Sequence, residues 1–143
     1  MLRFTKRADY GLMAIQYIAA HDGVGAVSAK RIAEEFGIPA ELLAKILQTL
    51  ARARLISAQA GPKGGYVLTQ RPSEITVGQV VRALEGPISI VSCIEDQDCP
   101  QMERCNLRRP VQKIQVAISR MLDTMSLSEL LAEDMPELLA IKG

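Results

Sequence analysis

Two short amphipathic segments separated by one glycine constrain this 143-residue chain more than any other feature. In Ser28-Ala-Lys-Arg31-Ile32-Ala33-Glu-Glu-Phe36, Ile32, Ala33 and Phe36 mark one face of a short helix that Ser28 can cap and Gly37 stops. Ile38-Pro39-Ala40-Glu41 opens the next segment. Pro39 suits the first helical position, and Glu41 suits the positive end of the helix dipole. This second helix buries Leu42, Leu43, Ile46, Leu47 and Leu50. It leaves Glu41, Ala44, Lys45, Gln48, Thr49 and Arg52 on the outside. A helix, a tight turn and a second helix with a partly basic outer face form a helix-turn-helix pattern.

The flanking segments narrow the fold. Residues 5 to 21 predict a preceding helix, capped by Thr5, with Leu12, Ile15, Ile18 and Ala19 at helical spacing. After the second helix, Leu55–Gln59 and Gly65–Thr69 predict two strands around Ala60-Gly61-Pro62-Lys63-Gly64, a hairpin tip rich in turn residues. A ribbon directly after a recognition-type helix is the wing of a winged-helix domain. Thr76-Val-Gly-Gln79 matches a capping box and opens a helix to about Leu84, with Val77, Val80, Val81 and Leu84 inward. The predicted class is therefore mainly α, with a winged helix-turn-helix domain over 1–86 and its own core in residues 5 to 85.

Beyond it lie a cysteine-rich loop over 87–109 and a helix with a tail over 110–143. The helix begins near Pro110, and Val111, Ile114, Ile118, Met121 and Met125 alternate three and four apart along it. That stripe predicts a dimerisation helix, the alternative being that it folds back on its own domain. Ser126-Leu-Ser-Glu129 is a second capping box for a last short helix through Leu131, followed by a loose tail.

All three cysteines fall in the loop, as Cys93-x5-Cys99-x5-Cys105. The odd count and an N-terminus without a signal-peptide apolar stretch predict a cytoplasmic protein with reduced thiols, where clustered cysteines bind metal rather than pair. No apolar run approaches the eighteen or so residues of a membrane span. The net charge is +1, so an anionic partner must be met by a local basic patch. With a single histidine, no Ser/His/Asp set and no phosphate-cradling glycine loop, the chain offers no catalytic constellation.

The ordered set of motifs is similar to the winged-helix iron-sulfur transcription regulators of the IscR, NsrR and RirA type. The matching features are Thr5-Lys-Arg-Ala-Asp9-Tyr10-Gly11, the Ile32–Pro39 turn, Gly61-Pro-Lys-Gly64-Gly65-Tyr66-Val-Leu68, Thr76-Val-Gly-Gln-Val-Val and the cysteine triplet. The resemblance implies a homodimer crossed by the long C-terminal helix. It also implies an iron-sulfur cluster on Cys93, Cys99 and Cys105, and operator affinity set by cluster state.

Three thiolates leave a fourth position open. Where IscR-like members carry a histidine, this chain has Arg108, which cannot be deprotonated to ligate. Asp9 falls where NsrR-like members supply a carboxylate from the other subunit, which favours [4Fe-4S] over [2Fe-2S]; the alternative is an acid that only stabilises its own helix terminus. His21 reads as a capping or surface residue, and Arg104 and Arg108 as hydrogen-bond donors to the cluster.

On this fold Lys45, Gln48, Thr49 and Arg52 face the major groove of double-stranded DNA, with Gln suited to adenine, Arg or Lys to guanine and Thr to a thymine methyl. Lys6, Arg7 and Lys63 meet phosphates, and Ser28 at the start of its helix joins the DNA-facing set. Ala44 and Ala60 replace a glutamate and an arginine of the IscR pattern, which implies a different operator. The expected function is a dimeric cluster-sensing regulator, a repressor on a palindromic operator. The alternatives are a zinc- or thiol-based sensor and a winged-helix protein-interaction module. Zinc fits poorly, because structural sites favour ligands two to four residues apart and a closed set of four.

Overall fold

The computed structural model describes residues 4–88, 106 and 108–132. Cys93, Cys99, Cys105, Arg104 and the tail from 133 onward lie outside the described residues, as does the Arg108 side chain.

Among the described residues six helices and one hairpin follow in order: α1 Lys6–Ala20, α2 Ala29–Phe36, α3 Ala40–Arg52, β1 Ile56–Gln59, β2 Gly65–Leu68, α4 Val77–Glu85, α5 Arg108–Thr124 and α6 Leu127–Leu131. A single 3-10 turn, Pro72–Glu74, precedes α4. The caps fall where the sequence places them. Thr5, Ser28, Thr76 and Ser126 each accept a backbone N–H three residues on, and Gln79 closes the capping box back to the Thr76 N–H. Gly37 ends α2 at φ 64, a left-handed conformation that costs glycine little. One expectation changes: Pro39 is the N-cap of α3 rather than its first helical residue, because its ψ of 130° is extended.

The core forms where α1, α3 and α4 meet. Leu43, Ile46, Leu47 and Leu50 of α3 are wholly inaccessible, together with Ile15, Ile32, Val80 and Ile75. At Gly11, α1 comes so close that an added Cβ would stand 2.1 Å from Leu84 Cδ1 and 3.5 Å from Ile46 Cγ2. The wing is antiparallel, with Ile56 opposite Leu68 and Gln59 opposite Gly65. Its outer strand is joined by a bridge the sequence did not announce: Val27 and Tyr66 exchange backbone hydrogen bonds of 3.0 and 2.8 Å. The hairpin is thereby fastened to the turn that feeds α2.

The end of α3 is closed by a device that local residue preference would not predict. Arg54 sits at φ 63, the left-handed position normally given to glycine. Leu55 N–H reaches Leu50 O at 3.1 Å and Arg54 N–H reaches Ala51 O at 3.0 Å, the paired bonds of a Schellman motif. Thr69 Oγ1 donates to Arg54 O at 2.5 Å, so the second wing strand holds the turn in place.

The core extends past residues 5–85. Leu127 of α6 is 0% exposed, and Leu122, Met125 and Leu130 pack around it. Backbone pairing holds it there: Val77 N–H donates to Met125 O and Leu127 N–H to Ile75 O, both at 2.8 Å. The apolar stripe of α5 divides accordingly. Val111 is buried and Met125 is packed on the core, whereas Ile114 and Met121 are 49% and 45% exposed. Among the described residues no helix is long and apolar enough to cross a membrane.

Truncating Leu127 to Ala should cost about 2–5 kcal/mol in chemical denaturation, the usual range for emptying a filled core site. Leu131→Ala, at a position that is largely exposed, should change stability by less than about 0.5 kcal/mol. Equal effects of the two substitutions would show that α6 does not belong to the core.

Candidate nucleic-acid interface

The apolar face of α3 is committed to the core, so the opposite face is fixed outward. Lys45, Gln48, Thr49 and Arg52 stand at i, i+3, i+4 and i+7 and form one stripe. Lys45, Gln48 and Arg52 are exposed, and Thr49 is half-buried. Thr49 is the knot of the stripe. Its hydroxyl donates to Lys45 O at 2.9 Å and accepts from Arg7 Nη2 at 2.9 Å and Arg52 Nη2 at 3.3 Å. One proton and two lone pairs are all a hydroxyl has, so only the Thr49 methyl is left for an outside contact.

Arg7 reaches α3 from the first turn of α1, next to Lys6, whose ammonium lies 5.7 Å from the centroid of the Tyr10 ring. Lys63 is exposed at the hairpin tip, where Gly64 N–H donates to Gly61 O at 2.9 Å and closes a turn with Pro62 at its second position. Ser28 Oγ accepts the Arg31 N–H at 3.1 Å, so its lone pair caps α2 while its proton stays available to donate. Among the described residues none of Lys6, Arg7, Lys45, Arg52 and Lys63 has a carboxylate in ion-pairing reach. The fold thus gathers unpaired cations at the start of α1 and along α3, with a further one at the wing tip. Sequence reasoning passed over Arg54, exposed just beyond α3. No local signal marks it, since its left-handed backbone follows from the closing of the helix end.

Of the candidate sensor residues, Asp9 and His21 fall among the described ones. The carboxylate of Asp9, in the first turn, is half-buried and makes no hydrogen bond or ion pair among the described residues. Thr5 Oγ1 in turn donates to Glu85 Oε1, which ties the start of α1 to the last residue of α4. The chain leaves α4 there for the cysteine segment. His21 is unsuited to ligation in this arrangement. Its Nδ1 donates to Tyr17 O at 2.8 Å, and its Nε2 accepts from Arg31 Nη2 at 3.2 Å. Three thiolates and a free carboxylate fit the donor preferences of an iron-sulfur cluster, and no group of three or more ligating residues exists elsewhere among the described residues.

At the end of α5 away from that segment, Arg82 of α4 grips Asp123 of α5 in a two-pronged ion pair, Nη1 to Oδ1 and Nη2 to Oδ2, the latter at 2.8 Å. Gly78 makes room for it, since a Cβ there would meet Asp123 Oδ1 at 2.1 Å. The helices that flank the cysteine segment are therefore braced against each other at the far end of α5.

Residues 4–133 match the Rrf2 family, described as an iron-dependent transcriptional regulator. The chain belongs to the Rrf2 family. This Rrf2-family chain is 33% identical over 132 residues to the HTH-type transcriptional repressor NsrR of Streptomyces coelicolor, an alignment covering 92% of this chain and 89% of the relative. Its fold is similar to that of CymR, the global cysteine regulator of B. subtilis, at TM-score 0.76 and 33% identity, over 91% of this chain and 96% of the other. It is also similar to the IscR of T. potens, at TM-score 0.75 and 27% identity, over 97% and 96%. The chain is thus a DNA-binding transcription regulator of the winged-helix kind and not an enzyme.

The hydrogen bonds from Arg82 hold the Asp123 carboxyl below the usual carboxylate range, opposed by desolvation and aided by the attraction of the guanidinium. A carboxylate whose folded-state pKa is depressed adds stability at and above its ordinary pKa, and that contribution is lost as pH falls through the depressed value. Carbon-detected NMR titration should find Asp123 ionising below the other surface carboxylates, and Arg82→Gln should return it to their range. An Asp123 that titrates with the rest in the unsubstituted protein would show that the brace does not form in solution.

Proposed function

We propose that this Rrf2-family chain is a dimeric repressor that binds a palindromic operator and whose affinity for it is set by an iron-sulfur cluster on Cys93, Cys99 and Cys105. The observation that carries the reading is the insertion of a three-thiol segment between α4 and α5, two helices joined by the Arg82–Asp123 brace and packed on the same core as α3.

The mechanism assigns each residue a place. Cys93, Cys99 and Cys105 hold the cluster, with Asp9 of the partner subunit as fourth donor. When bound, such a cluster would supply an iron-sulfide centre that iron loss, oxidation or nitric oxide can dismantle. Four sulfur or oxygen donors of this kind suit [4Fe-4S] better than a histidine-dependent [2Fe-2S] centre. Asp9 lies in the same first turn as Lys6 and Arg7, so a pull on its carboxylate acts on the start of α1 and on the Arg7 contact with α3. The exposed part of the α5 stripe, Ile114 and Met121, meets the same surface of a second copy. Two recognition helices related by a two-fold axis then enter successive major grooves, with half-sites ~34 Å apart. Lys45, Gln48, the Thr49 methyl and Arg52 read base edges, and Lys6, Arg7, Ser28 and Lys63 meet the backbone. The 1–86, 87–109 and 110–143 segments serve as reader, sensor and dimeriser, with α6 returning to the reader's core.

A thiol-based sensor is the second reading. The similarity to CymR, titled a global cysteine regulator, and the lack of a histidine donor favour it. Anaerobic purification separates the two. A cluster-holding protein is brown, shows sulfide-to-iron charge-transfer absorbance, and becomes colourless without unfolding on Cys93→Ala, Cys99→Ala or Cys105→Ala. Asp9→Ala should leave a cluster of altered spectrum and faster loss to chelator. A colourless anaerobic protein whose thiols alter DNA affinity on oxidation would establish the thiol reading instead.

A further inference from the structure

The length of α3 sets a limit on which of its residues can read bases. Thirteen residues at 1.5 Å each span roughly 20 Å, whereas the major groove is roughly 12 Å wide. A recognition helix enters the groove with its N-terminal part, so the C-terminal end of α3 stands over the sugar-phosphate backbone. Arg52 is the last residue of that helix.

Arg52 is not alone there. Arg7 comes from a different helix, and both guanidinium groups point a nitrogen at the same Thr49 oxygen, at 2.9 and 3.3 Å. Two nitrogens so close to one atom can lie no more than roughly 6 Å apart, and two like charges at that separation repel each other unless an anion lies between them. No carboxylate among the described residues fills that role. The Thr49 hydroxyl cannot do so either, since it is neutral and its hydrogen-bonding capacity is already exhausted. What the hydroxyl does is hold both side chains in place, which lowers the ordering cost of capturing a third party.

We propose that Arg7 and Arg52 form a clamp for one backbone phosphate in each half-site, pivoted on Thr49. Arg52 is then a phosphate ligand rather than a base reader. The inference rests on the DNA-binding role of α3 and alters the division of labour along it: Lys45, Gln48 and the Thr49 methyl specify sequence, while Arg52 joins Arg7 in setting register. Planar, two-pronged guanidinium groups suit shared phosphate oxygens better than lysines would. Thr49 is a positioning residue for the clamp.

The test uses the full chain, prepared anaerobically, with two probes. One is a duplex enriched from a randomised library by the unsubstituted protein, and the other is a shuffled duplex of equal composition. Arg7→Ala and Arg52→Ala should each weaken binding about tenfold on both probes. Each should also flatten the slope of log affinity against log salt by about one per half-site. The double variant should lose less than the product of the two single losses, because both act on one phosphate.

Single neutral methylphosphonate replacements along the enriched duplex locate the phosphate. One position per half-site should weaken the unsubstituted protein, and that same position should become silent in both variants. Thr49→Val, which keeps the methyl and removes the hydroxyl, should lower affinity on both probes while leaving base preference unchanged. Arg52→Lys, which keeps the charge, should retain the salt slope but recover only part of the affinity, and it guards against a general effect of removing a side chain. Relaxed base preference in Arg52→Ala, or two different silent phosphates, would overturn the clamp while leaving the DNA-binding reading intact. Failure of the unsubstituted protein to enrich any duplex would overturn both.

Discussion

Burial of one face of α3 is the constraint on which the rest of the structure depends. Leu43, Ile46, Leu47 and Leu50 are fully inaccessible, and filling four such sites contributes about 1.5–3 kcal/mol each. Rotating the helix to expose them would forfeit all of it. The opposite face, with Lys45, Gln48 and Arg52, is therefore held outward by the core rather than by anything it touches. The close approach of α1 at Gly11 and of α4 through Leu84 makes the other walls of the same site. The cationic surface is a consequence of apolar packing.

A second set of contacts makes the helices that flank the cysteine segment part of the same mechanical unit. Thr5 with Glu85 ties α1 to α4, Arg82 with Asp123 ties α4 to α5, and the strand-like pairing of residues 75–77 with 125–127 ties α6 to the turn before α4. Each is a polar contact between elements distant in sequence. Surface ion pairs contribute little to stability on their own, so the value of Arg82 and Asp123 lies in fixing register between two helices. Leu127, buried in the core, supplies the energy.

Most of the fold could be read from the chain because the signals were local. Thr5, Ser28, Thr76 and Ser126 announce helix starts through hydrogen bonds to their own neighbours, and Gly37 and the Gly61–Gly64 turn mark reversals that residue type alone can specify. The outer stripe of α3 was legible for a related reason: its complement, the apolar stripe, has a period set by helix geometry. The long-range partners were not legible. Nothing near Thr49 in sequence shows that Arg7, 42 positions away, donates to it, and nothing near Val27 announces Tyr66. The αL conformation of Arg54 runs against residue preference and is enforced by Thr69 across the hairpin.

The sequence by itself determined the helix-turn-helix, the wing, the outward residues of α3 and the thiol triplet between α4 and α5, because caps, periodicity and spacing act within a few residues. Only the tertiary structure decided that Thr49 spends its hydroxyl inside the protein, that His21 has both ring nitrogens engaged and that Leu127 completes the core. Those outcomes follow from which elements meet in space. A hydrogen bond or a filled cavity between distant segments leaves no periodic trace in either of them.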